Sequence, residues 1–377
     1  MIHVTLLSKA LSVGAYLRKC ELIAAHADIA LTVLVPPSWG NAKPEKLLPQ
    51  GYALRVIPIR LNGNFHLHHY PTLRAELARS KPNVLHIDEE PYNLATFLAL
   101  LAFRAFHASL GNLSPPKCLF FSWQNLVRHY PFPFRWMEQF VLKHAAGAVV
   151  GNREAQQVWR GKGFAGPIQV IPQFGVDEQF FIPAPKASDN APFTIGYAGR
   201  LVSEKRVDLL IQALPALPAA HLLIVGSGPE EARLRTQTSV LGVTERVEFR
   251  AHVPSMDMPT IYRSMHVLVL PSETRPNWKE QFGRVLIEAM ACGVPVIGSN
   301  SGEIPQVIGD AGLIFPEGNG ARLTDTLKLL QHDPARYKDL AQRGRARVLQ
   351  HFTMQRVADA TVDFYRKLSP QGPDFLR

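Results

Sequence analysis

Cysteine is scarce. The three residues of this type, Cys20, Cys118 and Cys292, lie far apart in a chain of 377. Neither a disulfide framework nor a zinc-ligand spacing can be built from them, which points to a reducing compartment. Long apolar runs are missing too. The longest, about residues 94–103, is too short to cross a bilayer and closes at Arg104. Residues 1–7 read as a short strand, without the basic region or cleavage site of a signal peptide. A soluble, cytoplasmic chain is the expectation. Fixed-period repeats and low-complexity tracts are also lacking, which excludes solenoids and disordered arrays.

Negative charge is in deficit. Lys and Arg number 41 against 31 Asp and Glu, for a net charge of +10. Residues 1–185 hold 18 cations against 11 anions, a surplus of 7, and residues 186–377 hold 23 against 20, a surplus of 3. No Lys/Arg block, RNP-like aromatic strand or helix-turn-helix signature accompanies the surplus, so no nucleic-acid partner is expected. A solvated basic surface and peripheral association with the inner face of a membrane both fit.

What is present is a globular composition, 46% hydrophobic and 19% charged, in a chain long enough for two cores. Strand patterns at 2–7, 30–36, 53–58, 83–87, 118–122, 146–150 and 168–171 alternate with helical patterns near 13–26, 70–80, 92–106, 132–144 and 152–163. A Pro- and Ala-rich stretch interrupts them, and a second alternation follows, with strands at 194–198, 221–225, 246–250, 266–270, 294–298 and 312–315. This α/β order predicts two Rossmann-like domains with parallel sheets facing across a cleft. The boundaries expected are 1–182 for an acceptor-side domain, 183–192 for a linker and 193–355 for a donor-binding domain. Residues 356–377 are expected to form a helix packing back on the N-terminal domain.

The chemistry concentrates in residues 280–296. Glu280 and Glu288 stand eight positions apart, and Gly283 precedes a helix whose first backbone N–H groups can seat a phosphate. Upstream, a strand ends in Gly199-Arg200, with Lys205 beside a helix start, a fit for an anion clamp. Gly226-Ser227-Gly228-Pro229-Glu230-Glu231 imitates the start of a dinucleotide fingerprint, but Glu231 stands where the third glycine belongs. That argues against an NAD-dependent oxidoreductase. Trp278 reads as a packing residue. No D-x-D metal signature occurs, and His66, His68 and His69 lack a nearby Cys or acid, so they are expected in a solvent-facing loop.

Gly199-Arg200-Leu201 with Lys205, Gly226-x-Gly228-Pro229, Glu280-x-Phe282-Gly283 with Glu288-Ala289-x-Ala291-x-Gly293-x-Pro295-Val296, and Ser301-Gly302-Glu303-Ile304-Pro305 occur in that order. Together they resemble the donor-binding domain of retaining glycosyltransferases of family 4 (glycosyl transferases group 1), with the GT-B fold, over roughly residues 190–315. The resemblance implies a metal-independent transfer of a sugar from a nucleotide-diphosphate donor to a glycan, lipid-linked or small-molecule acceptor, with retention. It implies that Arg200 and Lys205 hold the diphosphate and Glu288 the ribose. Glu280 would then face the sugar, with Gly199 and the Phe282 and Gly283 backbone close to the donor. The nucleotide sugar is a substrate and no cofactor is expected; a UDP-sugar is slightly favoured over a GDP-sugar.

Two departures stand out. The loop after the first strand has one glycine, Gly14, where the family often has two. After strand 118–122, where many members place a His, stand Trp123 and Gln124. Gln124 can orient a hydroxyl but cannot act as a base. Asp88 and Glu89 are further acceptor-side candidates, the alternative for the acids of 88–90 being to cap the next helix. Two other functions fit the same signature: a nucleotide-sugar epimerase or hydrolase, and a non-catalytic nucleotide-sugar-binding protein.

Overall fold

The computed structural model describes residues 1–41, 48–111, 117–183, 192–251 and 253–369. Two compact units emerge, Met1–Gly175 with Met354–Arg377, and Val176–Thr353. Residues 184–191, most of the expected linker, lie outside the described residues.

In the first unit seven strands form one parallel sheet: β1 (Ile2–Leu7), β2 (Ile29–Val35), β3 (Ala53–Val56), β4 (Val84–Ile87), β5 (Lys117–Ser122), β6 (Gly147–Val150) and β7 (Ile168–Val170). Their spatial order is β3-β2-β1-β4-β5-β6-β7. The chain works outward from β1, then returns to lay β4 on its other side, with Val4 opposite Val84 and Leu7 opposite Ile87. Such a reversal opens a crevice at the carboxyl ends of the two strands. Helices α1 (Arg18–Ala24), α2 (Leu73–Ser80), α3 (Leu94–Ser109), α4 (Phe134–His144) and α5 (Arg153–Gly161) connect them.

Side-chain alternation along each strand builds two cores. Leu7, Leu34 and Phe120 join Leu100, Phe103 and Trp159 on one face. Leu6, Val33 and Phe121 join Ile23 and Cys20 on the other. Covered on both faces, these strands read as nearly unbroken apolar runs.

The second unit repeats the plan with six parallel strands: β8 (Phe193–Ala198), β9 (Ala220–Val225), β10 (Val247–Arg250), β11 (Val267–Leu270), β12 (Val296–Ser299) and β13 (Leu313–Phe315). The order β10-β9-β8-β11-β12-β13 places the reversal between β8 and β11. Its helices are α6 (Asp208–Ala213), α7 (Glu231–Val240), α8 (Met258–Arg263), α9 (Arg284–Ala291), α10 (Ile304–Ile308), α11 (Gly320–His332) and α12 (Pro334–His351). Arg345 on α12 donates to the carbonyls of Phe181 and Ala291, at 2.6 and 2.7 Å, and so ties residues near the start of this unit to α9.

The last helix, α13 (Met354–Leu368), belongs to the first unit. Its Val357, Val362 and Tyr365 complete the core behind α1, and the Tyr365 hydroxyl meets His86 Nδ1 at 2.7 Å. The chain breaks between α12 and α13 at Phe352-Thr353, where it passes from one unit to the other.

Candidate active site

The reversal in the second unit carries the polar residues singled out by sequence. Beyond β8 the chain turns through Gly199 into exposed Arg200, and Leu201 N–H donates to the Ser227 carbonyl at 2.9 Å. This turn and the one after β9 lie in backbone contact. A Cβ on Gly226, whose φ is +137°, would come within 2.0 Å of the Gly199 carbonyl oxygen. The glycines of the imperfect fingerprint thus join two strand ends beside a cavity.

That cavity has a volume of about 270 Å³ and is lined by Gly199, Arg200, Gly226, Tyr262, Arg284 and Glu288 among others. Glu288 is 7% exposed. Its Oε2 accepts from the Tyr262 hydroxyl at 2.6 Å, and its Oε1 pairs with Arg284 Nε at 2.8 Å, one helical turn earlier. A carboxylate held from two sides on a helix wall is fixed in direction, as an anchor for paired hydroxyls must be. A larger recess, about 560 Å³, lies at the opposite, amino ends of the same strands around Thr194, His221 and Val247. The rules for open α/β sheets favour the carboxyl end instead.

Glu280 is 8% exposed and lies just before α9, which Gly283 caps in the left-handed region at φ +81°. Its Oε2 accepts from Lys205 Nζ at 2.5 Å and from the Ser272 hydroxyl at 2.9 Å. The Glu280 carbonyl accepts from Glu303 N–H at 3.1 Å. Lys205 also stands 5.0 Å over the Trp278 ring. The geometry therefore brings Lys205 and Glu280 together as an ion pair. Phe282, 9% exposed, packs against Phe352. Sequence reasoning missed Tyr262 and Ser272, which come from separate elements; the i,i+4 spacing of Arg284 to Glu288 was readable.

In the first unit, Gly14 opens a short 3-10 turn after β1, and Tyr16 of that turn stacks on Phe174 at 4.0 Å. Asp88, Glu89 and Glu90 follow β4 and are all buried. Asp88 accepts from the Ser8 hydroxyl at 2.6 Å and from the Gln173 amide at 3.0 Å. Glu89 pairs with Lys9 and faces His68 Nε2 at 3.5 Å. Burial pushes the Glu89 carboxyl up, but the Lys9 charge and His68 together hold it below its usual value. Gln124, 5% exposed, donates to the Leu126 carbonyl at 3.0 Å.

Two expectations are corrected here. Glu90 does not cap the next helix; its carboxylate reaches across to β5, accepting from the Ser122 hydroxyl at 2.6 Å and Trp123 N–H at 2.8 Å. Burial pushes its pKa up to about 7. The histidine loop is not wholly solvent-facing either. His68 is fully buried against Glu89, while His66 and His69 are half-buried. The carboxylate it needed is close in space and distant in sequence. Among the described residues no group of three or more His, Cys, Asp or Glu could hold a metal ion.

Residues 178–347 match the family model described as glycosyl transferases group 1. The group 1 match spans the whole cavity and both acids of α9 and its approach. A GDP-mannose-dependent monoacylated alpha-(1-6)-phosphatidylinositol monomannoside mannosyltransferase of Corynebacterium glutamicum is 36% identical over 191 residues, 46% of this chain and 50% of that protein. The chain thus spans about half the length of the relatives it matches at that level. The phosphatidyl-myo-inositol mannosyltransferase of Mycobacterium leprae is 27% identical over 94% of this chain and 92% of its own. Two solved structures superpose on nearly all of it. Sucrose-phosphate synthase from Thermosynechococcus elongatus does so at TM-score 0.72 and 21% identity, covering 97% of this chain and 99% of its own. Anabaena HepE in complex with UDP does so at 0.72 and 18%, covering 98% and 100%. At these identities the likeness is one of fold, and the fold is GT-B: two Rossmann-like α/β units with parallel sheets.

Proposed function

We propose that the chain is a retaining glycosyltransferase of family 4 that moves a sugar from a nucleotide-diphosphate donor to an acceptor hydroxyl without a catalytic metal. The observation that carries this reading is the cavity beyond the carboxyl ends of β8 and β9, walled by Arg200, the Gly226 turn and the paired Glu288, inside the group 1 match. Glu288 takes the ribose hydroxyls. Arg200, Lys205 and the first N–H groups of α9 take the diphosphate, whose negative charge grows as the anomeric bond stretches. Glu280 faces the sugar, and Lys205 keeps one contact with it while turning a donor toward phosphate.

In the transfer step the anomeric carbon–oxygen bond breaks and its electron pair leaves with the diphosphate. The acceptor oxygen bonds to that carbon on the same face, and its proton passes to the departing phosphate oxygen. The acceptor is held at the carboxyl end of the first unit's sheet, where Asp88, Glu89 and Gln124 offer polar groups to its hydroxyl. A glycan or lipid-linked hydroxyl fits the phosphatidylinositol monomannoside mannosyltransferases among its relatives, and their GDP-mannose makes that donor the first to test. UDP- and ADP-sugars form the other arms.

The test is thermal stabilisation by GDP-mannose, UDP-glucose and ADP-glucose, followed by product analysis with the best donor. Arg200→Ala and Lys205→Ala are each expected to weaken donor binding about 10- to 100-fold, the range of a charge-assisted hydrogen bond, and to lower turnover with it. An inverted anomeric configuration in the product overturns retention. Donor consumption that ignores every acceptor makes the chain a hydrolase instead.

A further inference from the structure

The first unit presents a surface that its core does not use. Phe132 is 83% exposed, Val127 64% and Trp136 52%, all in the segment that leaves β5 and enters α4. On α4 the positions Arg135, Trp136, Gln139 and Lys143 share the solvent face, opposite buried Met137 and Val141. The ring of Trp136 lies 4.9 Å from Phe97 on α3, where Leu98 and Leu101 are also exposed. On the other side His66 stands 5.2 Å from Phe134 and 5.9 Å from Tyr130, which brings exposed Phe65 alongside. Three segments distant in sequence thus contribute large apolar side chains to one region. An exposed patch of this kind calls for a partner.

Charge says which partner. Arg128, His129, Arg135 and Lys143 are exposed among these apolar groups. No Asp or Glu occurs between Glu90 and Glu138, or between Glu45 and Glu76, so the three segments hold no carboxylate before Glu138 of α4. The acids that border them are turned inward or engaged: Glu90 on Ser122, Glu138 on Lys162 at 2.5 Å, and Glu154 accepting from Asn125. A protein partner carries both signs of charge and is met by both. A surface offering aromatic rings and cations alone complements a plane that is apolar within and uniformly negative at its boundary.

We propose that the β5–α4 segment, with the outer faces of α3 and α4, docks on an anionic lipid bilayer. Phe132 and Trp136 enter the headgroup region, and Arg128 and Arg135 meet the lipid phosphates. No helix among the described residues is long and apolar enough to cross a membrane. The segment leaves the carboxyl end of β5, so docking also sets that end of the sheet close to the lipid.

The experiment is co-sedimentation of the full chain with vesicles of phosphatidylcholine alone or with added phosphatidylglycerol. Binding is expected only with the anionic lipid and is expected to fall as salt rises. Arg128→Ala with Arg135→Ala should lower the partition about 25-fold, about fivefold for each cation near a charged surface. Phe132→Ser with Trp136→Ser should abolish it while leaving a cooperative unfolding transition, because Phe132 is exposed and Trp136 rests on Phe97 from outside the core. The proposal is overturned by any of three results: no binding to anionic vesicles at low salt, binding that survives both double variants, or a lipid-free dimer that Phe132→Ser with Trp136→Ser dissociates. Neither donor nor acceptor enters this assay, so its failure leaves the transfer reading standing, and the reverse.

Discussion

At the scale of single residues, the buried carboxylates divide by what they face. Glu280 and Glu288 each sit against a cation, Lys205 and Arg284, and each takes a hydroxyl as well. Glu90 takes two neutral donors, and burial pushes its pKa up to about 7 against the pull of those donors and of the Lys9 charge. The ordinary value is 4.5, so the folded protein holds this proton more tightly than the unfolded chain does. Its stabilising contribution is complete below about pH 4.5 and is lost as pH rises through 7. About 2.5 pK units correspond to about 3 kcal/mol. Glu90→Gln keeps an acceptor for Trp123 N–H and cannot ionise. The difference in urea midpoint between this variant and the native chain is therefore expected to grow in the variant's favour from pH 5 to pH 8. Glu89 and His86, shifted downward, act in the opposite direction in both proteins and cancel in that difference. A difference that stays constant with pH would remove the assignment.

At the scale of elements, the acid-helix-glycine stretch was legible because its signals are local. Glu280, the Gly283 cap and Glu288 are fixed by one turn and one short helix, and the strand positions follow from apolar runs bounded by turns. What holds the stretch in place was not legible. Ser272 comes from the loop after β11, Tyr262 from α8, and the turn after β12 lies on the Glu280 backbone; each is set by sheet order. The same limit explains His68, whose carboxylate arrives from β4 on a separate segment.

The β12 turn gives a sharp test. Gly302 has φ +52°, and a Cβ there would come 2.0 Å from the Glu280 carbonyl oxygen. Gly242 has a similar φ, +65°, with open space around it. Gly242→Ala is expected to cost about 1 kcal/mol, the conformational penalty alone. Gly302→Ala adds a backbone clash that must displace Glu280, so a loss of about 2–4 kcal/mol is expected, since overpacking costs about 1–3 kcal/mol on top. Donor-induced thermal stabilisation should fall in Gly302→Ala and persist in Gly242→Ala. Equal behaviour of the two variants would separate the turn from the site.

At the scale of the whole molecule, the chain crosses from one unit to the other near Gly175 and returns at Thr353, so the first unit is finished by its last helix. Val357, Val362, Phe364, Tyr365 and Leu368 are buried on α13 against the face built by β1, β2 and α1. At about 1.5–3 kcal/mol for each buried side chain, these five contribute on the order of 10 kcal/mol, an upper bound set by an extended unfolded chain. A domain's whole stability is about 5–15 kcal/mol. A chain ending at Thr353 is therefore expected to lose cooperative unfolding of the first unit, to bind a hydrophobic dye at 25 °C, and to be cut rapidly by protease within residues 1–175. Tyr365→Phe isolates the polar part of the same contact. It keeps the ring in the core, removes the 2.7 Å bond to His86, and should cost about 1–2 kcal/mol with cooperativity intact. If the truncated chain melts as the full one does, the buried face of α13 is decoration, and the core of the first unit must be complete without it.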